Sequence, residues 1–326
     1  MELAGRSFDT PLILAPMAGV SDRVFRALCV QHGASYAPSE MTSARADLRG
    51  SRQTQRRHAA CSGTALHVVQ IAGAVPDDMA AAAREAVAAG AEDIDINMGC
   101  PAKRVCHQLA GSALLRDEVL VGRILQAVVE AVSVPVTLKT RTGWSRAARN
   151  ALAVARIAED AGIAAITLHG RTRECAYQGE AEYDTIAAVK AAARIPVIAN
   201  GDITSAEKAR AVLRHTKADG LMIGRAAQGN PWLFARIRHY LASGELPPAP
   251  NARDVLHTLR EHVAGLHSFY GEMAGVRIAR KHAGWYSRQL PQGEWLRQIF
   301  NTLESAEAQL AFLHRQLEQE RQRDAA

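Results

Sequence analysis

Several motifs that would fix the chemistry at once are missing from this 326-residue chain. There is no G-x-G-x-x-G, which argues against a stably held dinucleotide of the Rossmann kind. There is no G-x-x-x-x-G-K-[ST] and no H-E-x-x-H, so neither a P-loop nor a zincin site is written here. The five cysteines, Cys29, Cys61, Cys100, Cys106 and Cys175, form no C-x-x-C pair. Cys100, Cys106 and His107 lack a fourth partner and a zinc-like spacing, so no metal site is expected. Aromatic residues are scarce at 5%. No apolar run approaches the length of a membrane span, and Met1 to Arg6 is too polar for a signal-peptide core. With an odd cysteine count, these absences lead us to expect reduced thiols and a cytoplasmic protein.

What the chain does have is a rhythm. Eight short apolar runs occupy its first two thirds: 12–15, 36–40, 66–71, 94–97, 134–139, 165–169, 195–200 and 220–224. Alanine-rich stretches with helical periodicity, such as Asp77 to Ala89 and Asn150 to Ala161, lie between most of them. Strand and helix alternating in this way predict an α/β fold with a parallel sheet. Eight such units over about 240 residues have the size of a (β/α)8 TIM barrel, with an open doubly wound sheet as the alternative. Pro38 makes the second strand the least regular of the eight. The barrel is expected over 1–241, a Pro-rich linker containing Pro247, Pro248 and Pro250 over 242–252, and an all-helical domain over 253–326.

Barrel enzymes gather their chemistry where strands end and βα loops begin. The unusual residues of this chain recur there. Pro16-Met17-Ala18-Gly19 follows the first run, Gln70 closes the third, and Asn97-Met98-Gly99-Cys100-Pro101 follows the fourth. Lys139-Thr140-Arg141 ends the fifth, His169-Gly170-Arg171-Thr172 the sixth, Asn200-Gly201-Asp202 the seventh and Gly224-Arg225 the eighth. Gly201 and Gly224 would let backbone amides approach a phosphate, with Arg225 as a charged donor. Cys100 carries a thiol that is mostly protonated at neutral pH and can therefore act as a general acid. Lys139 and Arg141 share a strand face and would form a cationic patch suited to an anionic reduced cofactor or an enolate-like species.

Basic residues extend past the pocket. Arg45, Arg49, Arg52, Arg56, Arg57 and His58 follow the second run against one acid, Asp47. Lys103, Arg104, Arg146, Arg149, Arg171 and Arg173 lie in later loops. In the helical region, Arg277, Arg280, Lys281 and His282 precede Trp285 and Tyr286, a mix of cations and aromatics that fits an RNA surface. A solvated face with inward-packed aromatics would read the same way.

Taken in order, Ala15-Pro16-Met17-Ala18-Gly19, Val69-Gln70-Ile71-Ala72-Gly73, Asp95-Ile96-Asn97-Met98-Gly99-Cys100-Pro101, Leu138-Lys139-Thr140-Arg141, Leu168-His169-Gly170-Arg171-Thr172, Asn200-Gly201-Asp202-Ile203 and Met222-Ile223-Gly224-Arg225-Ala226 make the sequence similar to the tRNA-dihydrouridine synthases. Residues 275–282 resemble the bacterial B-type branch. The resemblance implies bound FMN reduced by a transient NADPH, hydride delivery to C6 of a D-loop uridine in tRNA, and protonation of C5 by Cys100. It implies that Pro16, Met17, Ala18, Gln70, Lys139, His169, Asn200, Gly201, Asp202, Gly224 and Arg225 hold FMN. Asn97, Lys139, Arg141, Arg171, Arg277, Arg280 and Lys281 would contact the tRNA, and the chain is expected to act as a monomer. Reaching a base in folded tRNA requires flipping it out, which suits a wide basic rim. Three rivals share parts of this pattern. They are a flavin barrel acting on a free pyrimidine, a tRNA binder without catalysis, and a sugar-phosphate lyase or isomerase.

Overall fold

The computed structural model describes residues 1–3, 5–49, 51–60 and 66–324, and Cys61 and the side chains of Arg49 and Arg52 lie outside that description. The chain divides into two compact units, Met1–Gly224 and Arg225–Ala326. The division falls ahead of the 241/242 boundary read from the sequence, so the helix Leu233–Ser243 goes with the second unit.

The first unit is a (β/α)8 barrel. Its strands are β1 (Leu12–Leu14), β2 (Thr42–Ser43), β3 (Val68–Ala72), β4 (Asp93–Met98), β5 (Val136–Arg141), β6 (Ala165–His169), β7 (Val197–Asn200) and β8 (Gly220–Ile223). All neighbours pair in parallel, in the order β1-β8-β7-β6-β5-β4-β3-β2. The ring closes through Tyr36, which bridges Ile13, while Ser39 N–H donates to the Val68 carbonyl at 2.9 Å. The second stave therefore differs from the expected 36–40 strand. Only a bridge forms at Tyr36, and the regular pairing starts at Thr42, beyond Pro38. β5 and β7 likewise begin just after Pro135 and Pro196, two residues later than their apolar runs. One cause covers all three: proline has no N–H to give the ladder.

Helices cover the barrel in the expected alternation: α1 (Arg23–Gln31), α2 (Arg52–His58), α3 (Pro76–Ala88), α4 (Glu118–Ala131), α5 (Ala151–Asp160), α6 (Asp184–Ala192) and α7 (Ala206–Thr216). α3 shows why an alanine-rich stretch suffices. Pro76 sits at its first position, two aspartates follow in the first turn, and Met79, Ala80, Ala82, Ala83 and Ala86 are buried, letting the helix pack closely. Inside the barrel, Ile13, Ala15, Tyr36, Val68, Ile198 and Met222 form an apolar cluster, against which Leu3 of the N-terminal hairpin packs. Nearer the carboxyl ends of β3, β4, β6 and β7 the buried positions Gln70, Asp95, Asn97, His169 and Asn200 are polar instead.

The second unit contains α8 (Leu233–Ser243), α9 (Ala252–Tyr270), α10 (Glu272–Tyr286), α11 (Gly293–Thr302) and α12 (Ala306–Asp324). Asn251 starts α9 with a complete capping box involving Asp254. Val255, Leu259, Val263 and Leu266 of α9 recur at helical spacing and are fully or almost fully buried, as are Val276, Ala279, Ala283 and Tyr286 of α10. α11 was not expected from the sequence; its apolar face is short, with Leu296 and Phe300 its buried apolar side chains. No helix among the described residues is long and apolar enough to cross a membrane.

Two histidines are sealed in this helical core, with the His262 and His282 rings 4.4 Å apart. Burial pushes His262 down to about 3 and His282 well below the usual imidazole range. The unfolded chain binds protons near pH 6.5, whereas the folded unit resists them, so stability is complete above about pH 6.5 and falls as acid is added. For His262 the loss runs at about 1.4 kcal/mol per pH unit below about pH 6.5, and His282 adds to it in the same direction. Three of the four tryptophans, Trp232, Trp285 and Trp295, belong to this unit and report its melting. The tryptophan-detected Tm should drop steeply between pH 7 and 5, and the His262→Gln/His282→Gln variant should lose most of that drop. Equal drops in the two proteins would refute the assignment.

Candidate active site

Parallel register sets the polar side chains of the barrel on one inner wall. Gln70 pairs with Asp95, Asn97 with Lys139, Arg141 with His169, and His169 with Asn200. Paired residues of a parallel sheet share a face, so these groups converge at the carboxyl ends of β3 to β7.

Cys100 sits just beyond β4 in a backbone held from both sides. Asn97 Oδ1 accepts the N–H groups of Gly99 and Cys100 at 3.2 and 3.0 Å. Arg141 Nε donates to the Gly99 carbonyl at 2.7 Å, and Ser112 Oγ donates to the Cys100 carbonyl at 2.9 Å. Gly111, at φ +61°, brings its backbone so close to Cys100 that a Cβ there would lie 2.8 Å from the Cys100 carbonyl oxygen. The thiol is half-buried. Burial raises its pKa above the ordinary value, against smaller pulls from the Ala102 N–H and the charges of Arg141 and Lys139. The sulfur is thus kept as a protonated acid with a fixed base.

Lys139 Nζ donates to Asn200 Oδ1 at 3.2 Å, and His169 Nδ1 lies 2.7 Å from the same oxygen. Asn200 Nδ2 donates to the Met222 carbonyl, which fixes the amide's orientation. His169 must then carry its proton on Nδ1. Burial, reinforced by Lys139 and Arg141, holds its pKa well below the imidazole range, so the ring is neutral. Its Nε2 is a bare acceptor, buried and without a partner among the described residues. Burial and Arg141 lower Lys139 to about 8, while Asp95 opposes them.

At the ends of β7 and β8, Gly201 has φ +126° and a Cβ would lie 2.7 Å from that of Ala181. Gly224 is different. It has no positive φ, and a Cβ would meet only Ala15 and Met17 at ordinary contact distances. Neither backbone conformation nor packing demands glycine there, and what it leaves open is space above the strand end. Pro16 and Met17 are half-buried and Ala18 is exposed in the loop after β1. That loop is tied down by Glu40, a buried residue not singled out in the sequence, which accepts from Gly19 N–H at 2.5 Å.

Some predicted ligand-binding residues also make extensive protein contacts. Arg141 is buried, donates to the Thr172 and Ala176 carbonyls besides Gly99, and stacks on Tyr177 at 5.4 Å. Arg171 is buried in a two-armed ion pair with Asp202 at 3.0 and 2.6 Å. Asp202 also accepts the Ala181 N–H. Arg141, Arg171 and Asp202 therefore shape the β5 and β6 loops. Ser112 was missed too, since a serine 12 residues past Cys100 carries no motif. In the second unit, Arg225 opens a short 3-10 turn, Arg277 and Lys281 are exposed, and Arg280 donates to the Leu303 carbonyl. Arg280, Lys281, Arg288, Arg297 and Trp285 line a cleft of about 650 Å³ with one acid, Glu294.

A parallel barrel with a protonated thiol on a clamped backbone, beside a lysine and an imidazole nitrogen unpartnered among the described residues, defines a (β/α)8-barrel enzyme. The chain belongs to the dihydrouridine synthase family, whose model matches residues 13–322. It is 60% identical over 300 residues to tRNA-dihydrouridine synthase B of Pseudomonas putida, covering 92% of this chain and 89% of the relative. It is 53% identical to the protein of that name from Vibrio cholerae, covering 95% and 96%. Among solved structures, histamine dehydrogenase from Rhizobium sp. 4-9 superposes with a TM-score of 0.57 at 13% identity, covering 81% of this chain and half of that longer one. That likeness is one of fold.

Proposed function

We propose that the protein is a tRNA-dihydrouridine synthase that uses FMN and NADPH to saturate the C5=C6 bond of a D-loop uridine. The observation that carries this reading is the Cys100 clamp, a thiol kept protonated on a Gly99–Cys100 backbone that four hydrogen bonds hold at the end of β4. FMN, when bound and recharged by NADPH, would supply the hydride for C6. The residues fit such a group. Lys139, His169 and Asn200 offer a cation, a bare acceptor and an oriented amide on one wall, with Gln70 beside them. Gly201 and Gly224 offer a phosphate site at the β7 and β8 ends, and Arg225 follows Gly224 in the sequence as the charged residue expected to join it.

The chain's own part in the reaction is then proton delivery and charge control. Cys100 gives its proton to C5 as C6 gains the hydride, so the base takes up two hydrogens and the thiolate is left behind. Lys139 stabilises negative charge while the two transfers are out of step. The test is dihydrouridine formation on unmodified tRNA with NADPH. Product on tRNA but none on free uridine is the expected result, and the reverse would overturn the substrate assignment.

The exposed cations of α10 would meet tRNA phosphates. Arg277→Glu/Lys281→Glu should raise the KM for tRNA at least tenfold with little change in kcat, and lower the slope of log affinity against log salt by roughly 1 to 2. Unchanged KM and slope would remove this face from the interface.

A further inference from the structure

We propose that Asp95 is a positioning residue that sets the orientation of the Gln70 and Asn97 amides and, through them, the backbone of Cys100. The inference rests on the Cys100 role given above. Asp95 is buried in the barrel on β4, five residues before Cys100. Its Oδ2 accepts Gln70 Nε2–H at 2.6 Å, Gln70 Oε1 accepts Asn97 Nδ2–H at 2.8 Å, and Asn97 Oδ1 accepts the Gly99 and Cys100 N–H groups.

An amide can be turned either way, and each link in this chain depends on the one before. A carboxylate only accepts hydrogen bonds. Facing Asp95, Gln70 must present its NH2, which points its oxygen at Asn97. Asn97 must then present its own NH2, and only its oxygen is left for the two backbone N–H groups. Flip either amide and Asn97 would turn donors toward Gly99 N–H and Cys100 N–H.

The far end of the chain is closed as well. Thr137 Oγ1 lies 3.0 Å from Asp95 Oδ1 and 3.2 Å from Asp93 Oδ1. Its single hydrogen serves one carboxyl only. Burial, with the neighbouring Asp95 charge, raises Asp93 well above the carboxylate range, so Asp93 keeps its proton. Asp93 can donate to Thr137 and Thr137 to Asp95, leaving Asp95 the charged acceptor. Burial pushes Asp95 up to about 6, with Gln70 and Thr137 pulling it back, so it is ionised at neutral pH.

The variants are Asp95→Asn, Asp95→Leu, Asn97→Ala and the Asp95→Leu/Asn97→Ala pair, in the full chain. Asparagine can still offer its oxygen to Gln70 and its NH2 to Thr137, so Asp95→Asn should stay within threefold of wild type. Asp95→Leu should slow dihydrouridine formation about 100-fold. It should also change the pH profile of Cys100 alkylation by iodoacetamide, read by mass spectrometry, a measurement that needs no turnover. The double variant should be no worse than Asn97→Ala alone. Additive losses, an Asp95→Asn as impaired as Asp95→Leu, or an unaltered alkylation profile would overturn the proposal. If Asp95→Leu fails to fold, the Asp95→Asn activity and its wild-type alkylation profile decide. Should wild type make no dihydrouridine at all, the proposed function fails, while the alkylation profiles still test the relay.

Discussion

Replacing Cys100 with alanine is expected to cut dihydrouridine formation by on the order of 10²–10⁴-fold, the range that a positioned general acid supplies. NADPH oxidation and flavin content should stay near wild type. The asymmetry follows from the geometry. The groups that would hold the cofactor, Lys139, His169 and Asn200, are joined to one another and to the Met222 carbonyl, with no bond to the sulfur. The clamp holds the Gly99–Cys100 backbone rather than the side chain, so alanine should keep the loop. Cys100→Ser is a useful companion, since a hydroxyl fits the space but is a far weaker acid. Both variants are measured by dihydrouridine content of tRNA and by NADPH absorbance in the same reaction. Full product with Cys100→Ala would remove Cys100 from the mechanism.

How much of this site could be seen in the sequence depends on distance along the chain. The barrel was legible because each strand is a local apolar run and each βα loop follows it. The polar strand ends were legible for the same reason. Strand starts were less so, since Val134 and Ile195 look like strand residues while the prolines after them delay the ladder. What escaped was pairing between strands. Asp95 lies inside an apolar-looking run, and only the register of β3 against β4 sets it beside Gln70. Arg141 and Arg171 read as ligand-binding cations because their partners are loop carbonyls or Asp202, 31 residues away for Arg171. The basic run of α10 was legible as a helical segment because its spacing is local, while the bond of Arg280 to the Leu303 carbonyl was not.

Replacing Lys139 with methionine should lower dihydrouridine formation about as severely as the loss of an oxyanion-hole donor does, on the order of 10²–10³-fold. Methionine keeps the length and loses the charge, so packing against β4 and β6 should survive. The pH dependence makes the prediction sharper. Lys139 titrates at about 8, lowered chiefly by burial and by Arg141. Its cation is therefore present below that pH and disappears as pH rises through it. Cys100 is raised by burial above its ordinary thiol value, so it holds its proton over the same interval. Of the two groups that must be protonated, the lysine is lost first. Single-turnover rates should fall above about pH 8 in wild type. Lys139→Arg keeps a charge that does not titrate in this range, and any activity it retains should hold level to higher pH, until the thiol ionises. A wild-type alkaline limb unchanged in Lys139→Arg would assign that limb to Cys100 instead. In that case the cationic wall of β5 would serve binding alone, and Lys139→Met would lose flavin rather than rate.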